Sequence, residues 1–182
     1  MRKLVYTINI TIDGYADHTS GIADDELHDF FTYFLSKVDT VLFGRKTYEL
    51  MVDFWPYAKD DPGSTESVLR FAEKYNGINK IVFSKSLSRV NWSNTNLIKS
   101  NTVKEVIKLK QQAGGDISIG GISLATSLMK EKLIDEFWFL VHPVIAGNGR
   151  KLFEGINERF DLKFVESSKL NSGVVALHYK GE

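Results

Sequence analysis

The hydrophobic positions of this chain change period along its length. Near the N-terminus Tyr6, Ile8, Ile10 and Ile12 alternate with polar residues, which predicts a half-buried strand that ends at Asp13-Gly14. Further on, the spacing becomes helical in a set made up of Leu27, Phe30, Phe31, Phe34, Leu35 and Val38. Asp24 or Asp25 is a suitable N-cap for this helix.

Short apolar runs then alternate with helical segments. Predicted strands cover 40–43, 80–84, 94–99, 116–119 and 137–145, and predicted helices begin near Arg45, cover 65–75 and 103–110, and run from Gly121 through Met129. Two final strands, 161–167 and 174–179, are joined through Asn171-Ser172-Gly173 as a hairpin. The pattern predicts an α/β layered fold with a mostly parallel central sheet and an antiparallel C-terminal hairpin.

Composition limits the classes of protein that fit this pattern. The 182 residues are expected to form one domain, 1–182, and their 43% hydrophobic content is ordinary for a globular chain. Basic and acidic residues balance at 23 each, which argues against nucleic acid as a partner. No apolar run is long enough for a membrane span or a signal peptide, so we expect no membrane association and a cytoplasmic location. Cysteine is absent, and His18 and His28 lack a third ligand, so we expect no metal.

Candidate chemistry lies where predicted strands end. Gly44, Arg45, Lys46 and Thr47 follow a buried strand and open a helix, where free N–H groups and the positive end of the helix dipole favour an anion. An ordinary strand-to-helix turn with solvated cations explains the same residues. The segment is not a P-loop, which has a different glycine and lysine spacing.

Two further strand ends carry small, hydroxyl or cationic residues. Ser84 and Lys85 follow one strand, and Gly120-Gly121 with Ser123 and Leu124 follows another. Taken alone, Ser84-Lys85 is better explained as a plain exposed turn, and Gly120-Gly121 is explained equally well as a tight turn. Because ligands of open α/β sheets bind at the carboxyl ends of strands, the coincidence of the three predicts a nucleotide that carries a diphosphate.

The segment Gly-Arg-Lys-Thr-Tyr-Glu at 44–49 resembles the cofactor turn of dihydrofolate reductases. The resemblance implies that Gly44 to Thr47 hold NADPH phosphates and that Ser84 and Lys85 contact the adenosine 2′-phosphate. It also implies that Gly120-Gly121 matches a glycine pair joined by a cis peptide bond, which is costly outside proline. NADPH is therefore the expected cofactor.

Two other segments resemble a sister group, the reductase domain of bacterial riboflavin biosynthesis and its stand-alone relatives. They are Thr11 to Ala16, and Leu133 to Glu136 together with Pro143 to Phe153. The resemblance implies a dihydrofolate-reductase-like three-layer α/β/α fold and hydride transfer from NADPH to a C=N or C=O bond of a pterin-, pyrimidine- or similar heterocycle-like substrate, as in 5-amino-6-(5-phosphoribosylamino)uracil reductase. It also implies a homodimer, with the 137–145 strand and its flanking hairpin as a partner face.

Catalytic residues are less clear from the sequence. Counting back from Gly44 by the spacing of dihydrofolate reductases reaches His28, and Glu26 and His28 lie at the two borders of the apolar helix face. A solvated helix flank is the alternative for both. Candidate substrate contacts are Asn9, Asp13 and Trp55. A nucleotide-binding module that has lost catalysis is the competing hypothesis.

Overall fold

The computed structural model describes all 182 residues and contains one eight-stranded sheet flanked by helices on both faces. The strands are β1 (Leu4–Thr11), β2 (Val38–Gly44), β3 (Asn79–Phe83), β4 (Thr95–Ile98), β5 (Asp116–Gly120), β6 (Glu136–His142), β7 (Leu162–Lys169) and β8 (Val175–Gly181). The helices are α1 (Asp25–Leu35), α2 (Arg45–Val52), α3 (Glu66–Gly77), α4 (Thr102–Gln111) and α5 (Ile122–Lys130), with a 3₁₀ helix at Trp55–Asp60.

The sheet has the order β4-β3-β2-β5-β1-β6-β8-β7. The strands from β4 to β6 are parallel, and β8 runs antiparallel to both β6 and β7. This confirms the α/β fold with a mostly parallel sheet and an antiparallel C-terminal hairpin. None of the helices combines the length and apolar character needed to cross a bilayer.

Each face of the sheet has its own core. Leu4, Tyr6 and Ile117 face α4 and α5, whereas Val5, Val41 and Phe43 face α1, α2 and α3. Neighbouring side chains on β1 therefore enter different layers, as the period-two pattern predicts. The result is the expected three-layer α/β/α arrangement.

The structure assigns Val38 to another element, selects one of the two N-cap candidates of α1, and ends one strand earlier than expected. Val38 belongs to β2 rather than to the face of α1, because α1 ends at Leu35 and the chain turns at Ser36. Asp24, not Asp25, caps α1 by accepting from the N–H of Leu27 at 2.8 Å. The strand expected over 137–145 ends at His142, directly before Pro143, which has no N–H to donate to the sheet.

The partner face expected from the 137–145 strand and its flanking hairpin stays a prediction, and it corresponds to the antiparallel end of the sheet, β6-β8-β7. β6 lies between β1 and β8, and Phe137, Phe139 and Leu140 are buried. A strand in the interior of a sheet has both edges paired, so β6 cannot pair with a second chain. The edge strand at this end of the sheet is β7, in which Phe164 and Val165 are exposed.

Candidate functional site

A cleft of about 570 Å³ lies at the carboxyl edge of the parallel sheet. Four strands end there in register, because Gly44 pairs with Phe83, Phe83 pairs with Ile98, and Phe43 pairs with Gly120. The lining brings together Gly44 to Thr47, Ser84 and Lys85, and Gly120 to Leu124. All ten residues proposed from the sequence for the cofactor therefore lie around one cleft.

Three helices begin at this cleft, and none has a side-chain cap. The N-cap residues are Gly44 for α2, Asn101 for α4 and Gly121 for α5, and no side chain accepts a hydrogen bond from the first turn of any of them. The first N–H groups of a helix have no partner within it. The cleft thus has three sets of backbone donors and three positive dipole ends.

The charges around the cleft are all of one sign. Five cations line it, namely Arg45, Lys46, Lys85, Lys99 and Arg150, and the lining contains no Asp or Glu. Arg45 is paired with Glu49 one turn away at 2.8 Å, and the Arg150 guanidinium donates to the Ser123 hydroxyl at 3.0 Å. Since the chain as a whole is neutral, this cleft is a local positive region suited to an anion with several charges.

The turn at Gly120-Gly121 is held close to α2. Gly121 has φ +86°, and a methyl group at this position would overlap the hydroxyl of Thr47. Only glycine combines this backbone conformation with this approach. The peptide bond between the two glycines is trans, since the chain has no cis peptide bond. The cis bond expected from the resemblance to dihydrofolate reductases is therefore absent.

Leu124 and Ser84 contribute to the shape of the cleft through contacts within the chain. Leu124 is buried, and its Cβ lies under Gly44, 3.8 Å from where a Cβ at Gly44 would be. Its side chain supports the cleft floor and leaves only backbone to face a ligand. The Ser84 hydroxyl accepts from the N–H of Leu87 at 3.1 Å, which shapes the turn after β3.

Two of the expected catalytic or substrate-side carboxylates are engaged in structural contacts. Asp13 accepts from the Thr11 hydroxyl and from the N–H groups of Ala146 and Gly147, and these bonds lower its pKa to about 2. Glu26 accepts from the N–H of Asn171 at 2.6 Å. Asp13 fastens the loop after β6, and Glu26 fastens the hairpin turn, so neither is a free acid in the cleft.

His28 and Trp55 meet each other rather than the cleft lining. Their rings lie edge to face with centroids 6.0 Å apart, and both pack against Phe71 on α3. This arrangement is an aromatic cluster between α1, α3 and the 3₁₀ helix. Trp55 therefore packs within this cluster and does not line the cleft.

The structure adds polar residues that the sequence analysis did not select. Lys99, Ser100 and Thr102 follow β4, and Arg150 reaches the cleft from the loop after β6. Lys99 could have been found by the same rule as the other strand ends, since β4 is parallel to β3. On the α1 face of the sheet, the hydroxyls of Thr7 and Ser118 lie 3.5 Å apart, between β1 and β5.

Asn9 lies on β1 and is not among the residues that line the cleft. It is half-buried, and its Oδ1 lies 3.0 Å from Nε2 of His142, a ring that is itself buried. His142 is the last residue of β6 and is fully buried. The contact with Asn9 joins the ends of β1 and β6.

These features define a three-layer α/β protein with a positively charged cleft at the carboxyl ends of four parallel strands. The chain belongs to the RibD C-terminal domain family, whose model matches residues 2–176. This confirms the resemblance to the reductase domain of riboflavin biosynthesis.

Relatives of nearly equal length exist in Bacillus subtilis. The protein YyaP is 33% identical over 98% of this chain and 94% of its own length. The protein YwjB is 30% identical over 98% of this chain and 97% of its own length. Both are uncharacterized.

Solved structures share the fold at low identity. A putative riboflavin biosynthesis protein from Shewanella sp. PV-4 superposes with a TM-score of 0.74 at 18% identity, covering 99% of each chain. The Thermotoga maritima diaminohydroxyphosphoribosylaminopyrimidine deaminase/5-amino-6-(5-phosphoribosylamino)uracil reductase gives 0.67 at 15% identity. It covers all of this chain, which spans 57% of the Thermotoga protein.

Proposed function

We propose that this protein is an NADPH-dependent reductase that transfers hydride to a C=N or C=O bond of a small heterocyclic substrate. The observation that supports this most directly is the cleft with three uncapped helix N-termini, five cations and no carboxylate. A dinucleotide with a diphosphate and a 2′-phosphate is the kind of ligand that needs several separate anion sites. The family membership gives the reaction class.

Different residues bind different parts of the cofactor. Arg45, Lys46 and Thr47 at the start of α2 hold the diphosphate on one side, and Gly120-Gly121 lets it approach the start of α5 on the other. Lys85 and Lys99 follow the neighbouring strands β3 and β4 and bind the 2′-phosphate. Bound in this way, NADPH supplies the hydride, while the protein orients it and excludes water.

Proton delivery is assigned to solvent in this proposal. Asp13 and Glu26 are occupied by backbone N–H groups, and His28 lies in an aromatic cluster. The Thr7 and Ser118 hydroxyls between β1 and β5 offer a place to hold a water molecule. A substrate whose reduced atom is basic enough to take a proton from water fits this site.

The test is a titration with NADPH and NADH, followed by quenching of tryptophan emission. We expect NADPH to bind at least about tenfold more tightly, because each charge-assisted contact to the 2′-phosphate contributes about 1.5–3 kcal/mol. Replacing both Lys85 and Lys99 by Gln removes the preference without changing NADH affinity. Lys163→Gln, on the far edge strand, is the matched control and leaves both affinities unchanged. Equal binding of the two nucleotides by the unaltered protein contradicts the 2′-phosphate assignment.

The second candidate is a nucleotide-binding module of the same fold without catalysis. The engagement of Glu26 and Asp13 in structural hydrogen bonds favours it. The two functions differ in one observable, the loss of nicotinamide absorbance in the presence of C=N and C=O heterocycles. Tight NADPH binding with no hydride transfer to any of them supports the module.

We also propose that the protein acts as a homodimer. The exposed β7 edge, with Phe164 and Val165 at its surface, is the surface that supports this. Analytical ultracentrifugation of the unaltered chain and of Val165→Lys tests it. A monomer in both cases rules the proposal out.

A further inference from the structure

The carboxyl half of β1 has a free edge beside the cleft. Tyr6 pairs with Ile119, and β5 ends one residue later at Gly120, whereas β1 continues to Thr11. From Ile8 onward β1 therefore has no neighbouring strand on the β5 side. Asn9 belongs to this unpaired part of β1, three residues past Tyr6, and its side chain is half-buried.

The hydrogen-bonding state of His142 is fixed by a backbone group. The N–H of Ile22 donates to Nδ1 of His142 at 2.9 Å, and a backbone N–H can only donate, so Nδ1 is an acceptor. The ring is buried, and burial lowers the pKa of His142, with the carboxylate of Asp24 acting in the opposite direction but more weakly. The ring is thus neutral at neutral pH and carries its proton on Nε2.

The tautomer of His142 in turn fixes the carboxamide of Asn9. Nε2 lies 3.0 Å from Oδ1 of Asn9, so the N–H donates to the amide oxygen. The reverse amide orientation would set the NH2 group against an N–H, two donors facing each other. No group of the chain accepts from the NH2 group, and it is not among the buried atoms that lack a partner, so solvent reaches it.

We propose that His142 is a positioning residue that fixes Asn9 as a hydrogen-bond donor to the substrate, so that the site selects heterocycles that place a carbonyl oxygen there and disfavours those that place an amino group there. This inference rests on the proposed function, since it specifies the substrate of that reductase. An amino group at this position would face a donor that cannot turn, and a site built to hydrogen-bond one partner discriminates strongly against a mismatched one.

The first test reads the tautomer directly and needs no ligand. Long-range proton–nitrogen correlation spectra of the 15N-labelled protein at neutral pH should show His142 neutral, with the proton on Nε2. A proton on Nδ1, or a charged ring, overturns the proposal. This result does not depend on whether NADPH binds. It therefore separates failure of the positioning role of His142 from failure of the proposed function.

The second test uses two probes that differ in the group on one ring carbon, C4, and in whether the neighbouring ring nitrogen carries a proton. Uracil carries a carbonyl at C4 and cytosine an amino group, and each is titrated while the side-chain resonances of Asn9 and His142 are followed. We expect uracil to bind at least tenfold more tightly. Asn9→Asp still accepts from His142 but presents an acceptor to the probe, so the ratio of the two affinities should fall at least tenfold. Equal binding, a preference for cytosine, or no shift of the Asn9 amide with either probe overturns the proposal.

Two changes at His142 separate positioning from simple packing. His142→Gln keeps a donor for Asn9 and should keep the uracil preference, whereas His142→Phe fills the space without a donor and should lower the ratio toward one. A His142→Phe variant that folds and keeps the full preference shows that the ring acts only by packing and overturns the positioning role. If this variant fails to fold, the tautomer measurement on the unaltered protein still decides the question.

Discussion

Helices α1 and α3 begin with a side-chain cap, whereas α2, α4 and α5 begin without one. Asp24 and Thr65 accept from the first turns of α1 and α3. Gly44, Asn101 and Gly121 leave the other three first turns free, and all three face the same cleft. A cap contributes about 0.5–2 kcal/mol to stability. The helices that forgo the stabilisation of a cap are therefore the ones whose first backbone N–H groups are available to a ligand in the cleft.

Gly121→Ala should have the largest effect, because it disturbs the start of α5 within the cleft. The positive φ costs about 1–2 kcal/mol for a residue with a side chain. Overlap with Thr47 adds about 1–3 kcal/mol. We expect a loss of about 2–5 kcal/mol in the free energy of unfolding. We also expect NADPH affinity to fall by about 100-fold, as a contact that depends on geometry is lost. Denaturant unfolding and fluorescence titration measure the two effects.

A matched glycine separates strain from site damage. Gly155 has φ +81° with open space around its Cβ position, so Gly155→Ala should cost only the conformational strain and leave NADPH affinity unchanged. Combining Gly121→Ala with Thr47→Ala removes the overlap and should restore part of the stability. Equal effects on NADPH affinity at Gly121 and Gly155 would remove the close approach as an explanation.

Gly44→Asp tests the trade between capping and binding at the start of α2. Gly44 has φ −83° and ψ 167°, the extended conformation of an N-cap residue, and a Cβ there meets only Leu124 at 3.8 Å. Aspartate should cap the helix and raise stability by a few tenths of a kcal/mol, about the difference between Gly and Asp at an N-cap. It should also lower NADPH affinity by at least about tenfold, because a carboxylate occupies the anion site.

Gly44→Ser is the control for charge at this position. Serine also caps the helix, but without a negative charge, so we expect a smaller loss of NADPH affinity than with aspartate. Both are measured by the same titration. A Gly44→Asp variant that binds NADPH as tightly as the unaltered protein would refute the placement of a phosphate at α2.

The carbonyl groups at the end of helix α3 have a side-chain partner, as do the N–H groups at its start. The partner at the end is an ionisable group, so the stability of the protein depends on pH. The buried Lys80 ammonium donates to the carbonyls of Tyr75 and Ile78, both at 2.8 Å. Burial lowers the pKa of Lys80 to about 8, below its unfolded value of 10.5. Between these values the unfolded chain holds more protons, so this group makes stability rise with pH, by up to about 1.4 kcal/mol per pH unit.

The measurement is the free energy of unfolding of the unaltered protein and of Lys80→Met between pH 8 and pH 10.5. Subtracting the pH profile of the variant from that of the unaltered protein isolates the contribution of Lys80 from that of tyrosines, which titrate in the same pH range. We expect the slope to be absent from the variant, and NADPH affinity at neutral pH to be the same in both. An identical pH profile for the two proteins would show that the folded chain does not depress this pKa.

The fold and the cleft at the strand ends could be predicted because they depend on local patterns. The short apolar runs give the strands, and parallel strands bring their carboxyl ends to one edge, so the turns at Gly44, Ser84 and Gly120 had to meet. Lys99 was missed because the predicted strand 94–99 included it, whereas β4 ends at Ile98 and leaves Lys99 at the strand end. Arg150 arrives from a loop, and no periodicity places a loop residue.

The catalytic candidates could not be predicted, because their surroundings come from distant parts of the chain. Asp13 is occupied by the N–H of Gly147, and Glu26 by that of Asn171. The contact between Asn9 and His142 likewise joins residues 133 positions apart. A helical wheel shows which way Glu26 points, but it does not show that a hairpin turn lies there.

Asp24→Ala, which removes the cap of α1, is expected to have the smallest effect. Removing the carboxylate leaves the N–H of Leu27 without its partner, so the free energy of unfolding should fall by about 1 kcal/mol. Asp24→Ser restores an acceptor and should recover most of that loss. NADPH affinity should be the same in both variants, because α1 does not begin at the cleft. If Asp24→Ala weakens NADPH binding as well, the division of helix starts into capped, stabilising ones and uncapped, ligand-binding ones is wrong. The free N–H groups at the cleft would then no longer indicate a binding site.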